Sequence, residues 1–228
     1  MIRDAAVVLF EPGSVVELRV PNTRQRTLSG YFNDHDKLAR AAATVDGQGP
    51  AVYVTLNPVR PDLLARAANR IQPFAENATK DDYILTRRWF PIDLDPKRPE
   101  GISSTDQQHE AALDRARQLT AWLDSRGWPA GMLGDSGNGA HVLYPIDLPN
   151  DAESRDLIER CLKTLGFLLT DANVTIDTSV GNAARCWKLY GTTAAKGDDL
   201  PDWPHRRARI LAVPCKQPKV TREQLEAL

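Results

Sequence analysis

An α+β fold, a sheet with its helices on one face, is what this sequence predicts, and three observations predict it. Arg88 to Pro96 has the period of a strand: Phe90, Ile92 and Leu94 fall on one side, Asp93 and Asp95 on the other. Two segments carry apolar residues at helical spacing. The first holds Ala112, Leu113, Ala116, Leu119 and Leu123; the second holds Leu157, Ile158, Cys161, Leu162 and Leu165. Between them Asn138-Gly139, a strong hairpin signal, separates two short β-like runs. The order is therefore strand, helix, strand, loop, strand, helix, strand.

Taken from the N-terminus, Ala5–Phe10, Val15–Val20 and Ala51–Leu56 read as strands. Phe32 to Val45 has helical spacing, with Leu38, Ala41 and Ala42 on one face. Asn57-Pro58 is a turn, and Pro61 opens a helix lined by Leu63, Leu64, Ala67 and Ile71. Residues 69–82 form a polar connection into the Asp-x-Asp strand. Pro96 to Ser104 is a loop, after which Ser103, Ser104 or Thr105 caps the first long helix. Gly127 ends that helix, with Trp122 and Trp128 packed about its C-terminus. Met132-Leu133 is a short strand, 134–140 a loop, and His141–Ile146 a strand. Asn150 or Asp151 caps the second long helix, Val174-Thr175-Ile176 is a strand, and Thr221–Leu228 begins a helix. That last start is expected of a catalytic part of a longer protein.

At 228 residues the chain accommodates one large domain or two subdomains sharing an interface. Hydrophobic residues at 42% and charged residues at 26% suit a globular protein. No apolar run reaches the roughly 18 residues of a membrane span. Asp4, Glu11 and Glu17 interrupt any signal-peptide pattern. Cys161, Cys186 and Cys215 are widely spaced and form no zinc signature with the four histidines, so a cytoplasmic location is expected. The net charge is −1, yet residues 181–228 hold nine Lys and Arg against five acids, a local +4. A basic C-terminal part beside acidic residues suits a polyanion that the whole-chain total conceals, and a solvated basic surface accounts for the charge equally well.

Three clusters carry chemistry. Asp93 and Asp95 project side by side, and two adjacent carboxylates repel unless cations neutralise them. Such a pair suits a site where two ions roughly 3.5–4 Å apart serve phosphoryl transfer, although an exposed strand end before the turn Pro96-Lys97-Arg98-Pro99 explains the pair alone as well. In Asp135-Ser136-Gly137-Asn138-Gly139-Ala140-His141, the glycines permit a tight turn whose N–H groups can cradle phosphate, with His141 placed to donate to it. A plain hairpin turn explains the same residues. Asp177 ends a strand and offers a third acid. Arg185, Lys188 and Lys196 after it can neutralise phosphates; a buried strand with a capping Asp177 and solvated basic residues is the other reading. Trp187 reads as core.

In this order the clusters resemble the motifs of the archaeo-eukaryotic primase superfamily, in particular the primase-polymerase domains of plasmid, phage and mobile-element replication proteins. Asp93-Leu94-Asp95 matches the first motif, a metal-binding Asp-x-Asp/Glu pair. Gly139-Ala140-His141 resembles the second, usually Ser-x-His, with glycine in the serine position and Ser136 displaced upstream. Asp177 fits the third, and Arg185 to Lys196 is similar to the basic stretch that follows it. Tyr53-Val54-Thr55-Leu56-Asn57-Pro58 also resembles the N-terminal half of these domains. The likeness runs from about Val52 to Gly197.

The resemblance implies an N-terminal α/β subdomain, near 1–80, packed on a catalytic subdomain like an RNA-recognition motif, near 81–215. A cleft lies between them, and 216–228 starts a linker or helix. It implies a DNA primase-polymerase, a nucleotidyltransferase that joins dNTPs or NTPs on single-stranded DNA, making or extending primers. Asp93, Asp95 and Asp177 would bind two Mg²⁺ or Mn²⁺ ions. Ser136, Gly137, Asn138, Gly139 and His141 would hold the triphosphate with Arg185, Lys188 and Lys196. Arg87 and Arg88 would meet template or nucleotide. A helicase or replication-initiation domain downstream is the implied partner, and no membrane. A metal-dependent nuclease and a non-catalytic module that binds single-stranded DNA are the competing readings.

Overall fold

The computed structural model describes residues 1–228. The chain opens with α1 (Ile2–Leu9), where a strand is expected. The β-branched pair Val7-Val8 suggests a strand, but Ala5, Ala6 and Leu9 are the buried residues, a helical spacing. β1 (Val16–Thr23) and β2 (Arg26–Phe32) follow as a hairpin. Its turn places Asn22 and Arg26 at positive φ, and the polar start of β2 hides that strand from pattern reading. Phe32 ends β2 instead of opening a helix. α2 (His35–Val45) starts at Asp34, whose carboxylate accepts from the N–H groups of Asp36 and Lys37.

After β3 (Tyr53–Thr55), Pro61–Arg66 is a single 3₁₀ segment, not a helix reaching Ile71. Its continuation is claimed by the edge of β2. Ser29 and Gln72 exchange two backbone hydrogen bonds, and Tyr31 bonds both Ala67 and Asn69. An edge strand's free N–H and C=O groups outweigh the helical pattern here.

The second half has the expected order. β4 (Thr86–Pro96), α3 (Asp106–Asp124), β5 (Met132–Asp135), β6 (Ala140–Pro149), α4 (Ala152–Leu169) and β7 (Val174–Ile176) form a βαββαβ unit. Thr105 caps α3 through a capping box with Gln108, and Asp151 caps α4. β8 (Cys186–Lys188), β9 (Thr193–Ala194), β10 (Arg206–Arg207), β11 (Arg209–Ala212) and α5 (Arg222–Glu226) complete the chain.

Two antiparallel sheets result, ordered β2-β1-β3-β8 and β11-β5-β6-β4-β7, with β9 and β10 as a separate pair. α3 packs along β4, β6 and β7, and α4 packs on β7. Phe90, Ile92 and Leu94 are fully buried there, and Trp128 stacks edge-on with Tyr144 at 5.1 Å. β8 lies far along the chain yet pairs with β3, so the division near residue 80 does not separate two independent sheets. One hydrophobic cluster of 46 buried residues runs through both halves. α5 packs on α4 and buries Leu225, so 216–228 ends in a docked helix. No helix is long and apolar enough to cross a membrane.

Candidate active site

A cavity of about 320 Å³ opens where the two sheets meet. Asp93, Asp95 and Asp177 form one side of it, and Arg185, Lys188 and Lys196 supply its cations. Ser136, Asn138 and His141 also line it. Nine of the residues singled out in the sequence therefore come together, from segments more than a hundred residues apart. The register explains how. Asp93 lies directly opposite His141 on β6, and β7 pairs with β4 on its other side, Asp95 opposite Thr175. The N–H of Asp177 continues that pairing by donating to the carbonyl of Asp93 at 2.9 Å.

Each acid is engaged locally. Arg185 Nη2 lies 3.0 Å from Asp177 Oδ2, and Asp177 Oδ1 accepts from the N–H of Ser179 at 2.8 Å. Arg98 stands 3.5 Å from Asp95, and His141 Nε2 3.6 Å from Asp93 Oδ1. Burial, then the neighbouring charges of Asp95 and Asp177, pushes the Asp93 carboxyl well above the ordinary carboxylate range. With the acids held this way, no three His, Cys, Asp or Glu side chains stand close enough together to grip a metal ion. The donor set itself is all carboxylate oxygen, which suits a hard divalent cation such as Mg²⁺ or Mn²⁺. A cation would relieve the repulsion felt by Asp93. The residues suit such an ion in chemistry, and Arg185 and Arg98 are the side chains that must yield before the acids can converge on one.

His141 is buried and neutral, its pKa pulled down to about 3 by burial and then by Lys188. Trp187 Nε1 donates to the Tyr190 hydroxyl at 3.2 Å, and that buried hydroxyl shares a hydrogen bond with His141 Nδ1, 3.0 Å away. Nε2 faces Asp93. Trp187 stacks on the imidazole at 4.0 Å, which makes it both core and cavity wall. Lys188 Nζ is buried without any hydrogen-bond partner, and burial followed by Lys196 lowers its pKa to about 7.

The loop after β5 departs from expectation. The N–H of Gly137 is taken by Asp135 at 2.7 Å and that of Gly139 by Ser136 Oγ at 2.9 Å. Ser136 N–H bonds the Gly139 carbonyl at 3.0 Å. The turn is closed on itself, so it offers no backbone cradle for phosphate; Ser136 and Asn138 reach the cavity by their side chains. The glycines answer to space. A Cβ on Gly139 would lie 2.3 Å from the Leu94 carbonyl, and one on Gly137 would lie 2.7 Å from Ala194 Cβ.

Arg87 and Arg88 stay outside the cavity. Arg87 is buried and donates to the Gly181 carbonyl at 2.7 Å, a structural tie. Arg88 pairs with Glu11 at 3.1 Å beside a different cavity near α1. Sequence reading missed Tyr53 and Cys186 on the cavity wall. Their signal was present: Tyr53 and Thr55 alternate with Val54, and Cys186 lies between Arg185 and Trp187.

No protein-family profile matches the sequence, and no characterised protein matches it by sequence. Solved structures do. The crystal structure of primase RepB′ is 12% identical and covers all of this chain, with a TM-score of 0.53. The chain spans 62% of the length of that structure. The polymerase domain from Mycobacterium tuberculosis Ligase D in complex with DNA is 14% identical over 90% of this chain and 78% of that one, with a TM-score of 0.47.

Proposed function

We propose, from the premise that this chain has the α+β fold of the archaeo-eukaryotic primases, that it is a metal-dependent nucleotidyltransferase acting as a primase-polymerase. One observation carries the reading: three carboxylates and three cations share one cavity at the junction of the two sheets. Acids alone suit a cation store and bases alone an anion site. Both together suit a substrate that is a polyphosphate carried with its metal.

Asp93, Asp95 and Asp177 would hold Mg²⁺ or Mn²⁺, which when bound lowers the pKa of an attacking 3′-hydroxyl and neutralises charge on the leaving pyrophosphate. Arg185 releases Asp177 and turns to the incoming triphosphate, exchanging one anion for another without crossing the cavity. Lys188 gains the anionic partner it lacks, and Lys196 adds charge at the cavity rim. His141 donates its Nε2 proton; Trp187 and Tyr190 keep it from rotating. Ser136 and Asn138 contribute side-chain polar groups in place of backbone amides.

A nuclease working through the same acids needs a base for water. The cluster of Arg185, Lys188 and Lys196 beside the acids is more than such a cleavage calls for and favours a triphosphate substrate.

The test is incubation with circular single-stranded DNA, labelled dNTPs or NTPs, and Mg²⁺ or Mn²⁺, with and without a primer. Metal-dependent incorporation is expected, lost in Asp93→Asn. DNA cleavage without nucleotide incorporation overturns the reading.

A further inference from the structure

The polar face of the N-terminal sheet continues beyond the cavity. Ser29, Arg19, Tyr53 and Lys188 are direct partners across β2, β1, β3 and β8, so all four side chains stand in one row on one face. Lys188 and Tyr53 line the cavity; Arg19 is the next position outward. At the usual strand spacing it lies roughly 10 Å from Lys188 across two steps of the sheet.

Arg19 is held unusually firmly for a residue with an exposed tip. Its Nε and Nη2 fork onto Glu17 at 3.1 and 2.6 Å. Glu17 is itself fully buried and also accepts from Ser29 Oγ at 2.6 Å and from the Thr79 N–H at 3.0 Å. Four donors thus fix one carboxylate, and that carboxylate fixes the guanidinium. Nη1 is left with no acceptor in the protein, and the Arg19 side chain is 21% exposed. A buried acid saturated by hydrogen bonds, serving a cation with one free edge, is a preorganised anion contact.

We propose that Arg19 grips a phosphodiester of a single nucleic-acid strand that runs from the cavity across this sheet face. Arg19 lies outside the residues that line the cavity, so a ligand touching both places extends beyond it, as a polymer strand does. Tyr53, between the two, supplies an aromatic surface along the path. The inference rests on the proposed function in taking the cavity as the place where a strand meets nucleotide.

The experiment measures binding of a fluorescent single-stranded DNA oligonucleotide against salt concentration, without nucleotide, and dNTP binding separately. Arg19→Gln leaves Glu17 buried without its cation, so the charge-balanced Glu17→Gln/Arg19→Gln double variant is measured beside it. The expected result is several-fold weaker DNA binding and a log–log salt slope shallower by about 0.7, one phosphate contact fewer. Nucleotide affinity is unchanged, and Arg19→Lys retains the wild-type slope. A folded double variant with wild-type DNA affinity and slope overturns the proposal. So does loss of dNTP affinity with DNA binding intact, which moves Arg19 into the nucleotide pocket. Wild-type protein that shows the Arg19-dependent slope but incorporates no nucleotide overturns the polymerase reading and supports the strand contact.

Discussion

Asp93 and His141 face each other across β4 and β6, directly paired in register, with Nε2 3.6 Å from Oδ1. Burial shifts the two in opposite directions in pKa, the acid upward and the base downward, so that each favours its neutral form. A site arranged this way resists charging until a cation or an anionic ligand enters it.

The acid half gives the first prediction. A carboxyl with a raised folded pKa holds its proton more tightly folded than unfolded. Its contribution to stability is therefore greatest below the unfolded value near 3.8 and is lost as pH rises through the folded value. The metal-free protein should lose thermal stability over that rise, and Mn²⁺ should restore it. Asp93→Asn should flatten the profile, abolish the Mn²⁺ response and reduce nucleotide incorporation by at least about 10²–10³-fold. Identical Mn²⁺ responses in the two proteins would remove Asp93 from the metal site.

The base half predicts the reverse at acid pH. His141 titrates near 6.5 when unfolded and near 3 when folded, so the unfolded chain binds the extra proton between those values. Stability should fall as pH drops below about 6.5, by up to roughly 1.4 kcal/mol per pH unit from this residue. Urea unfolding of His141→Gln between pH 4 and 7 should show a shallower pH dependence. Equal slopes in both proteins would mean that His141 is already charged or solvated.

Lys188 makes a separate case because its ammonium is buried without a partner. Its pKa falls from 10.5 to about 7 on folding, so the unfolded chain binds more protons between these values and stability rises with pH across that window. Lys188→Met should be more stable than wild type at pH 6, by on the order of 2–5 kcal/mol, with the advantage fading above pH 10. The same substitution should weaken triphosphate binding about tenfold or more. Calorimetry and nucleotide titration at pH 6 and 9 measure both. A destabilised variant with unaltered nucleotide affinity would make Lys188 structural.

Much of this arrangement was legible in the sequence because it is periodic. The alternation of Phe90, Ile92 and Leu94 with Asp93 and Asp95 fixes which face of β4 carries the acids, and the stripes of α3 and α4 fix which face they cover. What eluded pattern reading depends on contacts between distant segments. β2 begins with polar residues and is made a strand by β1 and by the 67–72 segment on its other edge. β8 is three residues long and exists because β3 has a free edge. Arg87, on the same alternating face as Asp93, was displaced from the site by its bond to Gly181, a partner 94 residues away. The Ser136–Gly139 turn has the composition of a phosphate loop, and only the hydrogen bonds show that its amides are spent internally.

That turn supplies the last prediction. Gly139 lies against β4, where an added Cβ would sit 2.3 Å from the Leu94 carbonyl and 3.3 Å from Asp95 Oδ1. The Leu94 carbonyl belongs to backbone and has no rotamer to escape into, so Gly139→Ala must push β6 away from β4 at the level of the acids. A loss of about 1–3 kcal/mol in unfolding free energy is expected, with a larger proportional loss of incorporation than of nucleotide affinity, because the spacing of Asp93, Asp95 and His141 changes while the cations opposite do not. Gly47→Ala is the control: it also lies in a turn, and no atom stands within 4 Å of its added Cβ, so its cost is only that of a positive φ. Equal effects of the two substitutions on incorporation would show that the close approach of Gly139 to Leu94 does not set the geometry of the acids.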